Sequence, residues 1–319
     1  MSPPTLTPFW QLALGILALL GAATLAGRLI AVRAGPANAT VRNLNERIDA
    51  WWVLVGVSLP AVALGAVAST VLFMLCSFLA LREFISLTPT RPSDRLALFL
   101  AFFVAVPVQY LLVGMRWYGL FSIFLPVYGF AVLSVVSTLS QDTEHFLERN
   151  AKIQWALMVC VYGVSHAPAL LFLDLRGTSG VGGSSGGGLL LLFFLVVAQI
   201  SDVLQYVCGK LFGRHRVAPR LSPNKTWEGL LGGGLLAGLV GAALHHFTPF
   251  TAAEALAMAL VIVTMGFFGG LVLSAVKRSL GAKDWGASIP GHGGVLDRLD
   301  SVAFSAPIFF HLTRFWFTD

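Results

Sequence analysis

Residues 188–208 read GLLLLFFLVVAQISDVLQYVC, a run of apolar residues that turns polar at Gln199, Asp202, Gln205 and Tyr206. About 20 predominantly apolar residues suffice to carry a helix across a hydrocarbon core. A carboxylate in such a run is costly unless it faces protein or a water-filled cavity. At helical spacing Gln199, Asp202 and Tyr206 share one face, with Gln205 beside it. The same run therefore predicts both a membrane-spanning helix and a polar face at one of its ends.

Nine further apolar runs lie near 9–32, 51–67, 69–87, 95–113, 117–138, 153–174, 229–246, 253–276 and 301–317. The block 51–87 is long enough for two crossings and divides near 60–68. Over the whole chain 56% of residues are hydrophobic and 11% charged, too few charges to cover a soluble surface. The expected fold is all-α, a polytopic helical bundle with about nine or ten transmembrane helices. The 33 glycines and 24 phenylalanines suit close helix packing. The first run has no basic residues before it, so it is not expected to act as a cleaved signal.

Charge distribution orients the bundle. With the N-terminus outside and loops alternating, 18 of the 21 Lys and Arg fall on the inner side, and only Arg116, Arg176 and Arg314 fall outside. Merging 51–87 into one crossing would put the basic clusters on opposite sides, so the bias favours ten. The net charge of +6 arises from these short clusters. It reflects contact with anionic lipid, and no nucleic-acid partner is expected. Residues 1–182 form an N-terminal multi-span region, and 183–319 a C-terminal region with cytosolic loops 209–228 and 277–300, both within one integrated membrane domain.

Several features carry little chemistry. Gly177 to Gly188 lacks the Gly-Lys-Ser/Thr ending of a phosphate-binding loop and reads as a flexible linker. His245 and His246 are sequence neighbours that do not share a helix face. His166 reads as a packing histidine. Cys76, Cys160 and Cys208 lie in apolar segments without metal-type spacing.

The two loops differ from these. Lys210 to Lys225 holds five basic residues and leads into Ser222-Pro-Asn-Lys225-Thr226-Trp-Glu228-Gly229. Hydroxyls and an ammonium just before a helix offer a phosphate seat, although Ser-Pro with Glu228 also resembles ordinary capping. The second loop reads Ser274-Ala-Val-Lys277-Arg278-Ser-Leu-Gly-Ala-Lys283-Asp284-Trp-Gly-Ala-Ser-Ile-Pro290-Gly-His292-Gly293-Gly294-Val-Leu-Asp297-Arg298-Leu-Asp300. Asp297 and Asp300 are three apart and point the same way on a helix. Asp284 lies across the glycine-rich turn and can fold back toward them. Three carboxylates among lysines and arginines supply what a magnesium–polyphosphate complex needs. A solvated, salt-bridged loop is the plainer alternative, to which a tight glycine turn adds nothing.

The stretch from Ser274 to Asp300 resembles the C-terminal signature of the bacterial CDP-diglyceride synthetase family, the phosphatidate cytidylyltransferases. Its K-R-x(4)-K-D and H-G-G-x-x-D-R-x-D parts fit without a gap, and Asp202 and S-P-x-K-T-W-E-G stand at the expected distance upstream. One departure is Val-Leu-Gln205 between Asp202 and Tyr206, where the family commonly has small residues. The resemblance implies transfer of CMP from CTP to phosphatidic acid with Mg²⁺, in a bacterial inner membrane. It implies that Asp284, Asp297 and Asp300 hold metal, with Asp202 a further acidic contributor. Lys225, Lys277, Arg278, Lys283 and Arg298 would grip phosphates, and Ser222 and Thr226 would position phosphate oxygens. Glu228, His292, Gly293 and Gly294 complete the implied substrate-binding set. Membrane lipids are expected partners, and a homodimer is compatible with the pattern. A CTP-dependent lipid kinase, a cytidylyltransferase for another lipid phosphate and a transporter are the alternatives.

Overall fold

The structure, a computed structural model, describes residues 7–34, 39–176, 185–288 and 293–318. Every apolar run forms a helix. The first three are α1 (Pro8–Ala34), α2 (Ala39–Ala63) and α3 (Ala66–Leu87). Three more follow as α4 (Pro92–Gly114), α5 (Tyr118–Thr138) and α6 (Phe146–Phe172). The C-terminal half adds α7 (Ser185–Phe212), α8 (Gly229–Ala243), α9 (Ala252–Ser279) and α10 (Leu296–Phe317). The 51–87 block breaks at Gly65, whose φ of 102° favours glycine over any L-residue. Residues 177–184 of the glycine-rich run lie outside the described residues, and Ser185 to Gly188 form the first turn of α7.

Seven of these helices are long and apolar enough to cross a membrane, judged on the described residues alone. The apolar part of α2, Ile48–Ala63, and α8 are shorter, and α10 carries Asp297, Arg298, Asp300 and Arg314. The expected nine or ten crossings are thus matched by helices in the right places, but by seven on length and apolarity. The all-helical expectation needs one addition. Between α7 and α8 the chain forms a hairpin of β1 (Arg216–Ala218) and β2 (Ser222–Thr226), antiparallel, with Arg216 opposite Thr226 and Ala218 opposite Ser222. The Pro219-Arg220 step supplies its turn, a signal that the basic content of the loop masks.

The interior is built around the C-terminal half and α6. Of the most apolar window, 72% is buried in α6 and 61% in α7, against 11% in α1 and 17% in α5. The inner helices therefore bear the packing, and α1 and α5 present apolar surface outward. Gly163 of α6 meets the Ala303 carbonyl of α10 so closely that no Cβ could fit between them. Gly233 at the start of α8 does the same against the Gln205 backbone of α7. Small residues at such crossings are how membrane helices gain contact without a hydrophobic driving force.

The N-terminal ends of α4 and α6 are tied by a buried ion cluster. Arg149 Nε donates to Asp94 Oδ1 at 3.0 Å, and its Nη1 to Asp142 Oδ2 at 2.9 Å. Arg149 and Asp94 are 7% and 5% exposed, while Arg91 forks onto Glu144 at the rim. Removing one member of a buried pair leaves an uncompensated charge, at a cost of about 3–5 kcal/mol. Arg149→Met should therefore lower unfolding stability by about 3 kcal/mol. Thermal unfolding in detergent checks this, and activity per folded molecule should stay unchanged.

Candidate active site

The two charged loops meet at one end of the bundle. Lys225, at the inward end of β2, reaches across to α9, where its Nζ donates to the Phe267 carbonyl at 2.9 Å. The same ammonium stands 4.6 Å from the centre of the Phe267 ring. Gly270 makes room for it. A Cβ there would sit 2.6 Å from Lys225 Nζ and 3.4 Å from Asp300 Oδ2, so the ammonium and the α10 carboxylate face each other across a bare backbone. Asp202 of α7 interacts electrostatically with Asp300, Lys225 and Arg298. Lys277 adds its charge to Lys225 and Asp300. Burial pulls the Lys225 ammonium below the usual lysine range, and the Asp300 and Asp202 carboxylates oppose that pull.

Asp297 has a different task. It is 9% exposed, and its Oδ1 accepts from Lys277 Nζ at 2.6 Å. Its Oδ2 accepts from the backbone N–H groups of Trp285 at 2.8 Å and Gly294 at 2.9 Å. The carboxylate therefore closes the turn between α9 and α10 from the first turn of α10, where the helix dipole favours an acid. Gly293, with φ of 79°, provides the left-handed residue this closure requires.

Of the implied metal set, Asp284 and Asp297 both border Gly293, where a Cβ would lie 3.5 Å from Asp284 Cβ and 2.6 Å from Asp297 Oδ2. Both oxygens of Asp297 are engaged, and Asp284 sits on the exposed part of the turn, with its Cβ beside Gly293. Among the described residues no three His, Cys, Asp or Glu are placed to hold an ion. What does come together is the pair Asp202 and Asp300, from two different helices. Two carboxylates beside cationic side chains are a donor set suited to one hard divalent cation.

The remaining predicted residues divide. Arg298 is half-buried beside Asp202 and Asp300, and its Nε is buried without a hydrogen-bond partner. Arg278 donates to the Ala282 carbonyl at 3.0 Å, and Lys283 is exposed. Thr226 Oγ1 accepts from the Gly229 N–H at 3.1 Å, capping the helical turn that follows. Ser222 is half-buried at the hairpin turn. Glu228 accepts from the His215 and Arg214 N–H groups and bonds His215 Nδ1 at 2.5 Å. The His215 contact leads the causes that hold its carboxyl down to about 2. Thr226 and Glu228 thus shape the hairpin. His292 lies outside the described residues.

Sequence reasoning missed Glu83. This carboxylate rises from α3, in the N-terminal half, and is 8% exposed. Its Oε1 accepts from Ser288 Oγ at 2.7 Å and the Val295 N–H at 2.9 Å, and its Oε2 from the Leu296 N–H at 2.9 Å. Gly286 and Gly294 both lie where a Cβ would strike it. Beside it Phe84 stacks on the buried Trp285 at 4.9 Å. An acid at the end of an apolar helix was the available signal. Its neighbour Arg82 reads as an orientation marker, and the pair together as an ordinary charged helix end.

Residues 45–316 match the model of the cytidylyltransferase family, and the chain belongs to that family. It is 37% identical over 272 residues to a protein of Escherichia coli K12 named "Uncharacterized protein YnbB", covering 84% of this chain and 87% of that one. It is 46% identical over 113 residues to a Mycobacterium leprae phosphatidate cytidylyltransferase, covering 34% of this chain and 35% of that one. A Staphylococcus aureus phosphatidate cytidylyltransferase matches at 39% over 115 residues, 35% of this chain and 44% of that one. The chain thus spans well under two thirds of these two named enzymes. A helical membrane protein of the cytidylyltransferase family is the class these findings define.

Glu83 yields a direct test. Glu83→Gln keeps the shape but replaces one acceptor oxygen with a donor facing backbone N–H groups. A buried donor or acceptor left unmade costs about 1–3 kcal/mol. Turnover should drop roughly tenfold as the turn loosens, with a measurable fall in melting temperature. Full turnover in the purified variant would remove Glu83 from the account.

Proposed function

We propose that this protein is a phosphatidate cytidylyltransferase of the bacterial inner membrane. It transfers CMP from CTP to phosphatidic acid, giving CDP-diacylglycerol and pyrophosphate, and thereby feeds phospholipid biosynthesis. The observation that carries this reading is the mixed-charge cluster of Asp202, Lys225, Lys277, Arg298 and Asp300, at the ends of membrane helices in a cytidylyltransferase-family chain. All ten helices then cross the membrane, and both charged loops face the cytosol, where CTP is available.

The chemistry suits these residues. An anionic oxygen of the lipid phosphate attacks the α-phosphorus of CTP. The bond from that phosphorus to the bridging oxygen breaks, and pyrophosphate leaves with the electron pair. The nucleophile is already ionised at neutral pH, so the site needs no strong general base. Positioning and charge neutralisation suffice. Lys225 and Arg298 face the polyphosphate, and Lys277 adds positive charge from behind Asp297. Asp202 and Asp300 would hold a Mg²⁺ ion, which supplies charge neutralisation of the triphosphate when bound. Asp297 and Glu83 act one step back, fixing the turn that carries Asp284 and the start of α10. Arg278 and Lys283 lie at the open rim and attract the anionic substrates.

A second reading keeps the reaction and changes the acceptor. The relative matched over most of its length carries no activity name, and the named enzymes match over about a third of this chain. That pattern favours another lipid phosphate as the alternative to phosphatidic acid. CTP labelled in the base and, separately, in the γ-phosphate decides among these readings. With phosphatidic acid and Mg²⁺, the base label should enter a lipid product on thin-layer chromatography, and the γ label should leave as pyrophosphate. Transfer of the γ label to lipid would indicate a kinase. Transfer of the base label only with a different lipid phosphate would establish the second reading.

A further inference from the structure

At the end of the bundle away from the charged cluster, a cavity opens between the α4–α5 turn, the end of α6 and the last turns of α10. It is a small, half-open hollow of about 40 Å³. Its walls include Tyr118, Phe121, Phe172 and Phe310, and two arginines, Arg116 and Arg314, stand at it. The guanidinium of Arg314 lies 3.9 Å from the centre of the Tyr118 ring, and that of Arg116 lies 5.5 Å from the Phe172 ring. Tyr118 is itself held, with its hydroxyl 3.3 Å from His311 Nδ1. Among the described residues neither arginine is paired with a carboxylate.

Two features make this more than a gap in packing. Arg116 has φ of 58°, a left-handed conformation that a side chain of this size rarely adopts and that the tight turn imposes. It brings the guanidinium to the cavity from a position where only three of the 21 basic residues stand on the membrane orientation argued above. Two of those three meet here. Arginines stacked on aromatic rings keep their N–H edges available, and that planar fork suits a phosphate.

The surroundings place the cavity at headgroup depth. Trp117 and Trp316 are 55% and 60% exposed beside it, as amphipathic rings are at a membrane–water boundary. Along α10, Arg314 follows Asp300 by about four turns, on the order of 20 Å. The cavity is therefore separate from the nucleotide site and opens toward the opposite leaflet.

We propose that this two-arginine, aromatic-walled cavity binds the phosphate headgroup of an anionic phospholipid from the outer leaflet, with the acyl chains lying along the apolar faces of α4 and α5. The site is independent of which lipid phosphate the enzyme uses as substrate, because no residue in it touches the charged cluster.

The test uses the full-length protein in detergent, with melting temperature and lipid affinity followed by titration. Dioleoylphosphatidylglycerol should raise the melting temperature, and dioleoylphosphatidylcholine and orthophosphate should not. Arg116→Gln and Arg314→Gln should each weaken the apparent affinity about tenfold, the amount that one lost charged hydrogen bond corresponds to. Arg314→Lys should retain part of the binding. CTP-dependent turnover in the same preparations should stay within about twofold, so failure of this site and failure of the proposed activity are distinguishable. An undiminished phosphatidylglycerol effect in both Gln variants would overturn the proposal. So would an equal effect of orthophosphate that the same substitutions remove, because that would make the site one for a free anion. If a Gln variant does not fold, lipid retention by Arg314→Lys in native mass spectrometry decides, and wild-type retention of phosphatidylcholine equal to phosphatidylglycerol would contradict it.

Discussion

Both oxygens of the Asp297 carboxylate are filled, by Lys277 on one side and by the N–H groups of Trp285 and Gly294 on the other. This one group joins the end of α9, the connecting turn and the start of α10. It fastens the described part of the turn, while the close approach of Gly266 to Ser301 and of Gly269 to Phe304 holds α10 against α9. Glu83 adds a second fastening from α3 and ties the α9–α10 turn to the N-terminal half of the bundle. The two carboxylates divide the same work. One closes the turn on itself, and the other anchors it to the scaffold.

That arrangement explains why the acids of the loop differ in use. A carboxylate accepting three hydrogen bonds is a poor candidate for a displaceable ligand, because each bond must be broken before another ligand gains the oxygen. Asp300, one turn further along α10, bonds only its neighbour's Ser301 N–H at 2.7 Å among the described residues and faces Lys225 across Gly270. Asp202 comes from a separate helix, is exposed where Asp300 is half-buried, and interacts electrostatically with Asp300, Lys225 and Arg298. In the proposed mechanism the charged groups left available are thus one turn further along α10 than the densest part of the loop motif. Preorganised charges in such a partly dry site are worth more than the same charges in water.

The sequence made much of this legible and hid some of it for definite reasons. The spans were readable because hydropathy acts over 20-residue windows, and all ten runs became helices. The break at Gly65 was readable within a few residues. The hairpin was not, since five basic residues in the loop obscured the alternation around Pro219. Asp297 and Asp300 were correctly placed on one helix, but spacing alone cannot say which carboxylate will be consumed by backbone N–H groups. Asp202 was visible as an acid in an apolar run. Glu83 was equally an acid beside an apolar run, yet its partners lie more than 200 residues away. A contact of that range leaves no local trace in the sequence.

The central claim is that the hairpin and α10 form one site, in which Lys225 and Asp300 act together across Gly270. A double-mutant cycle on kcat/KM measures this directly, with Lys225→Met, Asp300→Asn and the pair. Groups in contact show coupling of about 0.5–3 kcal/mol, and residues that act as a unit lose little more together than apart. The double variant should fall within a fewfold of the less active single variant. Fully additive losses, the product of the two single effects, would contradict it.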